Sequence, residues 1–258
     1  MMRLTADMHI HTVLSPCASR EMTPPAIVRE AARKGIALIA VCDHNSAGNV
    51  RAVEAAAAAL PDGPAVIAGM EITTGEEAHV LGLFPSPSAA CSAAAEVRAG
   101  LPAWRPLAAR TSASLSAGGL REPEQELVDA EGRRMGIETR MLAAASCLAL
   151  SAAVDLIHRH GGLAVAAHVD RRSFSVPGQL GFIPPEVPFD GLEISAAGAA
   201  RGRTADFVSQ GLPLVSSSDS HFLEEIGNGL TVLDVEEPVF SELCKALRGA
   251  EGRGCAIA

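Results

Sequence analysis

Asp7-Met8-His9-Ile10-His11-Thr12 closes an apolar run near the amino terminus, and the rest of the fold can be read outward from it. In a β-strand alternate side chains share a face, so His9 and His11 project together from the strand's carboxyl end and make half of a metal site. One such pair is equally well explained as two buried histidines satisfied by hydrogen bonds, because imidazole serves both roles. The remainder of the chain separates the two explanations.

Residues 3–10 read as the first strand. Thr23-Pro24-Pro25 opens a helix, with Thr23 as cap and proline in the first turn, and Gly35 ends it. The continuous apolar run Ile36–Cys42 has the character of a parallel strand covered on both faces, and it ends in Asp43-His44-Asn45. An alanine-rich helix at 47–60 is bounded by Pro61-Asp62-Gly63-Pro64. Strand 65–70 delivers Glu71, and strand 79–84 begins with His79. This β-α-β-α rhythm lapses between 85 and 150, where a short helix near 88–100, a Ser/Ala/Gly-rich stretch at 111–119 and a hairpin at 126–137 are expected. It resumes with a helix at 151–160 and a strand ending at Ala167-His168-Val169-Asp170. After a proline-rich loop at 173–188 come strands at 189–195, 212–218 and 229–235 and a helix at 238–248. The expectation is an α/β fold, a TIM-like β/α barrel formed by 1–84 and 151–258, with 85–150 inserted as a small subdomain capping it.

Six of the eight histidines (His9, His11, His44, His79, His168, His221), together with Glu71 and Asp219, fall at or beside the ends of these strands. In a β/α barrel the strands' carboxyl ends open onto one face, so residues distant in sequence converge there. Imidazole and carboxylate donors in this mixture suit zinc, manganese or iron, and eight of them exceed what one tetrahedral ion uses. Two or three divalent ions are therefore expected, bridged by Glu71 or Asp219. The other two histidines are an internal control. His158 and His160 also spell His-x-His, but on a helix positions two apart face roughly 200° from each other. They suit a helix terminus, where the dipole favours them, rather than a metal.

A formal charge of −9, with two lysines beside nineteen arginines, argues against a broad nucleic-acid-binding face. It leaves room for a small anionic substrate, because a local cation cluster or a metal reverses the sign inside an acidic protein. The six cysteines show no Cys-x-x-Cys pair or regular spacing and read as reduced thiols. The first residues lack the apolar core and small-residue cleavage site expected of a signal peptide, and no apolar run reaches the roughly 20 residues of a membrane span. A cytoplasmic protein without membrane contact is expected.

The ordered set Asp-x-His-x-His-Thr at 7–12, Asp-His at 43–44, Gly-x-Glu at 69–71, His79, Ala-His at 167–168 and Asp-x-His at 219–221 resembles the polymerase and histidinol phosphatase, or PHP, metal-dependent phosphoesterases. The resemblance implies a distorted seven-stranded barrel, up to three ions and hydrolysis of phosphate esters. It also implies ligand sets: His9, His11, Glu71 and Asp219 for one ion, Glu71, His79 and His168 for a second, His44 and His221 for a third. Many members carry Ser-Asp-Gly or a histidine soon after the opening motif, where this chain has Thr12-Val13-Leu14-Ser15-Pro16-Cys17. Cys17 stands where some relatives have a third-metal histidine, so it is either a ligand or an ordinary small thiol.

Clustered divalent ions bring the pKa of bound water towards neutrality and withdraw charge from phosphate oxygens, so attack on phosphorus needs no side-chain nucleophile. Asp43 and Arg171 are the expected further catalytic groups, Asp43 by orienting a ligand histidine, with Asp7 in the same capacity. Arg20, Arg171 and Arg172 are candidates for holding the phosphate through the planar guanidinium. The function expected from this reading is hydrolysis of a small phosphorylated substrate, a nucleotide or other phosphomonoester, with no stable nucleic-acid complex and an open oligomeric state. The alternatives are an exonuclease on short oligonucleotides, disfavoured by an aromatic content of 3% without tyrosine, and a metal-binding regulatory module without turnover.

Overall fold

The computed structural model describes residues 1–104 and 124–258, so the Ser/Ala/Gly-rich stretch at 111–119 lies outside the described residues. In chain order the elements are β1 (Met2–Ile10), α1 (Pro24–Arg33), β2 (Leu38–Val41), α2 (Val50–Ala58), β3 (Ala65–Thr73), β4 (His79–Phe84), α3 (Pro87–Ala99), β5 (Glu126–Val128), β6 (Arg134–Ile137), α4 (Leu150–Arg159), β7 (Leu163–Ala166), α5 (Val176–Leu180), β8 (Gly191–Ser195), α6 (Ala196–Ala200), β9 (Leu214–Ser217), β10 (Thr231–Val235), α7 (Phe240–Arg248) and β11 (Gly254–Ile257). The alternation read from the sequence is present, with additions. α5 lies in the proline-rich loop and is announced by Ser175, which accepts from the Gly178 amide, and by Pro177 in the first turn. α6 and β11, each short and built of small residues, carry no periodicity to betray them. Thr23 occupies the cap position of α1 but its hydroxyl makes no capping bond, so the start of that helix rests on its prolines.

Among the described residues nine strands form one sheet, in the order β11-β10-β1-β2-β3-β4-β7-β8-β9. It curls until its edges nearly meet: past β9, Ser220 bridges Ile10, with His11 N to Ser220 O at 3.0 Å and Ser220 N to His9 O at 3.2 Å. β1, β2, β3, β4, β7, β8 and β9 thus make a distorted barrel, and β10 and β11 extend it antiparallel along the first half of β1. β4 runs antiparallel to both β3 and β7. Its first residue, His79, therefore reaches the same rim as the carboxyl ends of its neighbours.

The uninterrupted apolar runs are explained by two cores. Leu38, Ala40 and Cys42 join Leu81, Leu83, Leu163 and Val165 in one cluster. Their alternates Ile39 and Val41 pack with Ile27, Val28, Val53 and Ile157 beneath the helices. A strand that feeds apolar contacts on both faces has no polar alternation to show. On β1 the pairing with β2 shifts register between Asp7 and Ile10. Ala6 and Met8 lie in the first cluster and Ile10 in the second, so the strand changes face there and turns His9 and His11 inward.

Among the described residues β5 and β6 pair only with each other and make a separate two-stranded sheet. Fully buried Asn49 ties it to the barrel: its Nδ2 donates to Glu126 O at 3.0 Å and to Thr12 Oγ1 at 2.9 Å, and its Oδ1 accepts from Val128 N at 3.0 Å. Among the described residues no helix is long and apolar enough to cross a membrane.

Replacing Asn49 by alanine strands the buried Val128 amide, which should cost about 2 kcal/mol. The measure is the urea midpoint, expected to fall at unchanged slope; an unchanged midpoint would show that Asn49 does not hold the hairpin.

Candidate metal centre

Glu71, 1% exposed, sits on the inner face of β3 with imidazoles around both carboxylate oxygens. Its Oε1 lies 2.7 Å from His79 Nδ1, 3.2 Å from His168 Nε2 and 3.4 Å from His9 Nε2. Its Oε2 lies 2.8 Å from His44 Nδ1 and 3.5 Å from His11 Nε2. Asp219 Oδ1 closes the opposite side, 3.3 Å from His9 Nε2 and 3.2 Å from His11 Nε2. Among the described residues three trios of donor atoms are close enough for a shared cation: His9, His11 and Glu71; His44, Glu71 and His79; His11, His44 and His221.

Several of these contacts are not hydrogen bonds. Among the described residues His44 Nδ1, Glu71 Oε2, His79 Nδ1 and His168 Nδ1 are buried without a hydrogen-bond partner, although His44 and His79 nearly touch the carboxylate. Buried polar atoms are rarely orphaned in native proteins, and nitrogen and oxygen donors that converge without hydrogen-bond geometry between them are what a cation requires. Nitrogen and oxygen donors in this mixture fit zinc, manganese or iron. Burial pushes the Glu71 carboxyl up, but His79, His9 and His44 outweigh it and hold the group well below the usual carboxylate range. Glu71 therefore stands ready as an anion.

A second layer fixes the ligands. Glu193, on the inner face of β8, sets its oxygens 3.1 and 3.2 Å from His9 Nδ1 and accepts from the His168 amide at 3.0 Å. With Nδ1 engaged this way, His9 presents Nε2 to the centre. On the other histidine, His11 Nδ1 is 2.9 Å from Ser15 Oγ, whose hydroxyl donates to Asp43 Oδ1 at 2.7 Å. Asp43 also accepts from Thr12 N and Thr12 Oγ1, each at 2.7 Å. The loop after β2 is pinned to β3 through Asn45 N to Glu71 O at 2.7 Å and Glu71 N to Asp43 O at 3.1 Å. Asn45, His168, Phe174 and Asp219 all have positive φ, a conformation that costs a non-glycine residue about 1 kcal/mol or more. Their concentration around one rim marks backbone held to place side chains.

The structure brings His9, His11, His44, Glu71, His79, His168, Asp219 and His221 together. It groups them differently from the sets carried over by resemblance: His44 joins Glu71 and His79, and His11 is shared with His44 and His221. Cys17 lies against His221 and His44; desolvation raises its thiol, but hydrogen bonds from the two histidines outweigh that and bring it down to about 7. It is not one of the three donor trios. Asp43 touches no histidine directly and acts through Ser15, so it is a positioning residue. Asp7 orients none either: it accepts from the amides of Ser218 and Gly227, and burial raises its carboxyl to about 6. Arg171 lies over Asp219 Oδ2, its Nη1 at 2.5 Å. Arg20 and Arg172 are exposed. His158 and His160 stand apart, paired with Asp190 at 2.8 Å and Glu96 at 2.7 Å. Sequence reading missed Glu193, whose one signal was a lone acidic residue in the apolar strand Leu192-Glu193-Ile194.

Residues 208–251 match the family model described as PHP-associated. No curated protein matches the chain significantly. Among solved structures, the chain is similar to the lesion-specific endonuclease Q of Pyrococcus furiosus, at 19% identity and a TM-score of 0.66, covering 98% of this chain and 58% of that one. A second endonuclease Q structure, in complex with a 27-mer duplex substrate with an abasic lesion at the active site, is similar at 18% identity and a TM-score of 0.63, with the same coverage. A proposed metal-dependent phosphoesterase from Bifidobacterium adolescentis is similar at 19% identity and a TM-score of 0.57, covering 84% of this chain and 87% of that one. The chain thus spans little more than half the length of the endonuclease structures. The DNA-bound likeness overturns the expectation of a small phosphorylated partner without a stable nucleic-acid complex. That expectation rested on the total charge, which is blind to how arginines are distributed around one rim.

Glu193→Gln keeps an acceptor for the His168 amide but removes the charge behind His9, so metal affinity should fall 10- to 100-fold. Competition with a chromophoric chelator measures it, and wild-type affinity would remove Glu193 from the support of the centre. His158→Gln/His160→Gln should leave metal content as in the wild type.

Proposed function

We propose that this chain, a PHP-domain protein by its motifs, its family match and its fold, is a metal-dependent hydrolase that cleaves phosphodiesters in nucleic acid. The observation that carries this is the buried Glu71 carboxylate with histidine donors at both oxygens and orphaned lone pairs around it. The nucleic-acid substrate is supported by the DNA-bound likeness and by the arginines beside the centre. Divalent cations held there supply a Lewis acid, an activated water and charge neutralisation for in-line displacement at phosphorus.

The chain's own residues do the rest. Glu71 serves two neighbouring positions at once, one oxygen towards His79 and His168, the other towards His44. Glu193 and the Ser15–Asp43 pair keep His9 and His11 from rotating, so the donors are in place before substrate arrives. Arg171 bonds Asp219 through Nη1 and reaches the cavity beside the centre, where its fork can hold a non-bridging phosphate oxygen. Cys17, beside His44 and His221, is proposed as an additional donor to the third trio, giving it a softer character. The barrel buries the ligand side of this cluster, so water and substrate share one approach from the rim.

Elemental analysis after reconstitution should find at least two transition-metal ions per chain, and one or fewer would sink the multinuclear reading. Hydrolysis of bis(p-nitrophenyl) phosphate with manganese, zinc or iron tests the chemistry. Glu71→Gln should lower turnover roughly a thousandfold, a barrier increase of about 4 kcal/mol. Near wild-type turnover in that variant at saturating metal would remove the centre from the reaction.

A further inference from the structure

A cavity of about 690 Å³ opens beside the metal centre, on the side of Asp219. Its size is that of an ordinary ligand pocket, but its walls are polar. They come from the loop after β7, from the end of β8 with α6 and the turn that follows, and from the segment between β9 and β10 that carries Ser218, Asp219, Glu225 and Asn228. Four arginines line it: Arg171, Arg172, Arg201 and Arg203.

The carboxylates in these walls are already committed. Asp170 accepts from Ser195 N and Ser195 Oγ, both at 2.7 Å. Glu225 accepts from the amides of His221 at 2.9 Å and Phe222 at 3.1 Å. Asp219 faces His9, His11 and Arg171. Of the arginines, Arg203 is held by Asp206 Oδ2 at 3.0 Å and Asp170 O at 3.2 Å. Arg172 and Arg201 have no side-chain hydrogen bond or ion pair among the described residues. The wall itself is fixed: a Cβ on Gly198 would lie 2.1 Å from Asp170 Oδ2, so only glycine lets the Asp170 carboxylate reach Ser195 there. A pocket whose carboxylates are engaged by its own amides, hydroxyl and arginine, and whose remaining two guanidinium groups have their donors free among the described residues, is suited to an anion.

We infer that this cavity seats the backbone phosphate next to the one at the metal centre, gripped by Arg172 and Arg201, with Arg171 at the junction of the two positions. The inference rests on the nucleic-acid reading above and deepens it. The protein takes hold of a strand through two successive phosphates, so recognition follows the backbone and needs no stacking platform. Base identity is unread at this position, because guanidinium–phosphate pairing carries no sequence information.

The test is binding of a fluorescein-labelled phosphorothioate hexathymidylate, which is cleaved slowly, followed by anisotropy over a range of salt. Arg201 is exposed, so Arg201→Ala and Arg201→Lys should both fold. Arg201→Ala is expected to weaken binding about tenfold and to reduce the salt slope by about 0.7, the value for one lost single-strand phosphate contact, while Arg201→Lys keeps the slope. Unchanged affinity, or weaker binding at an unchanged slope, would overturn the inference. Hydrolysis of bis(p-nitrophenyl) phosphate is read separately. If the wild type fails to cleave it yet binds the strand through Arg201, the hydrolase reading falls and the cavity stands.

Discussion

A carboxylate buried in a protein interior is costly unless something answers its charge, and Glu71 is answered by five imidazoles from four different segments of chain. Several of these nitrogens approach the carboxylate without hydrogen-bond geometry, so the cluster is answered as a site for a cation rather than as a set of ordinary hydrogen bonds. Much else follows from making that cluster tenable. The face change on β1 turns His9 and His11 towards it, the reversed β4 delivers His79, and four non-glycine residues accept left-handed backbone to point their side chains at the rim. The layer behind, Glu193 and the Ser15–Asp43 pair, prevents the first layer from relaxing into ordinary hydrogen bonds.

The barrel was legible in the sequence because its strands are short apolar runs ending in polar triplets, and the triplets hold the ligands: Asp43-His44-Asn45 and Asp219-Ser220-His221 are examples. Chain direction was not legible. Nothing in His79-Val80-Leu81-Gly82-Leu83-Phe84 distinguishes a strand that starts at the rim from one that ends there. Nor does the sequence show a register shift between Asp7 and Ile10, since the bulge is a property of the pairing. Glu193 looked like any polar residue in a buried strand, and the aspartates before the two histidine motifs looked alike. Only the fold separates Asp43, which supports His11 through Ser15, from Asp7, which holds the amides of Ser218 and Gly227.

Net charge was the least informative of the sequence measures. It sums over the whole surface, whereas a phosphate senses charges within about a Debye length, roughly 8–10 Å at ordinary salt. Arg201 and Arg203 come from a turn without periodicity, and Arg171 and Arg172 from a loop 30 residues away; the curl of the sheet places them along one wall. An acidic protein can in this way present a cationic groove at one place and repel polyanions elsewhere, which confines binding to the productive site.

The β3–β4 hairpin separates the centre into parts with different histories. Glu71 and His79 are eight positions apart on adjacent antiparallel strands, and their meeting requires only a local turn. His9 and Asp219 meet only when the last barrel strand returns to the first, after a loop of more than 200 residues has closed. Contacts of short range form early in folding and those of long range late. A nascent chain therefore possesses one corner of its ion-binding pocket while the remaining donors are still far away, and a cation captured at that corner favours the closures that complete its shell.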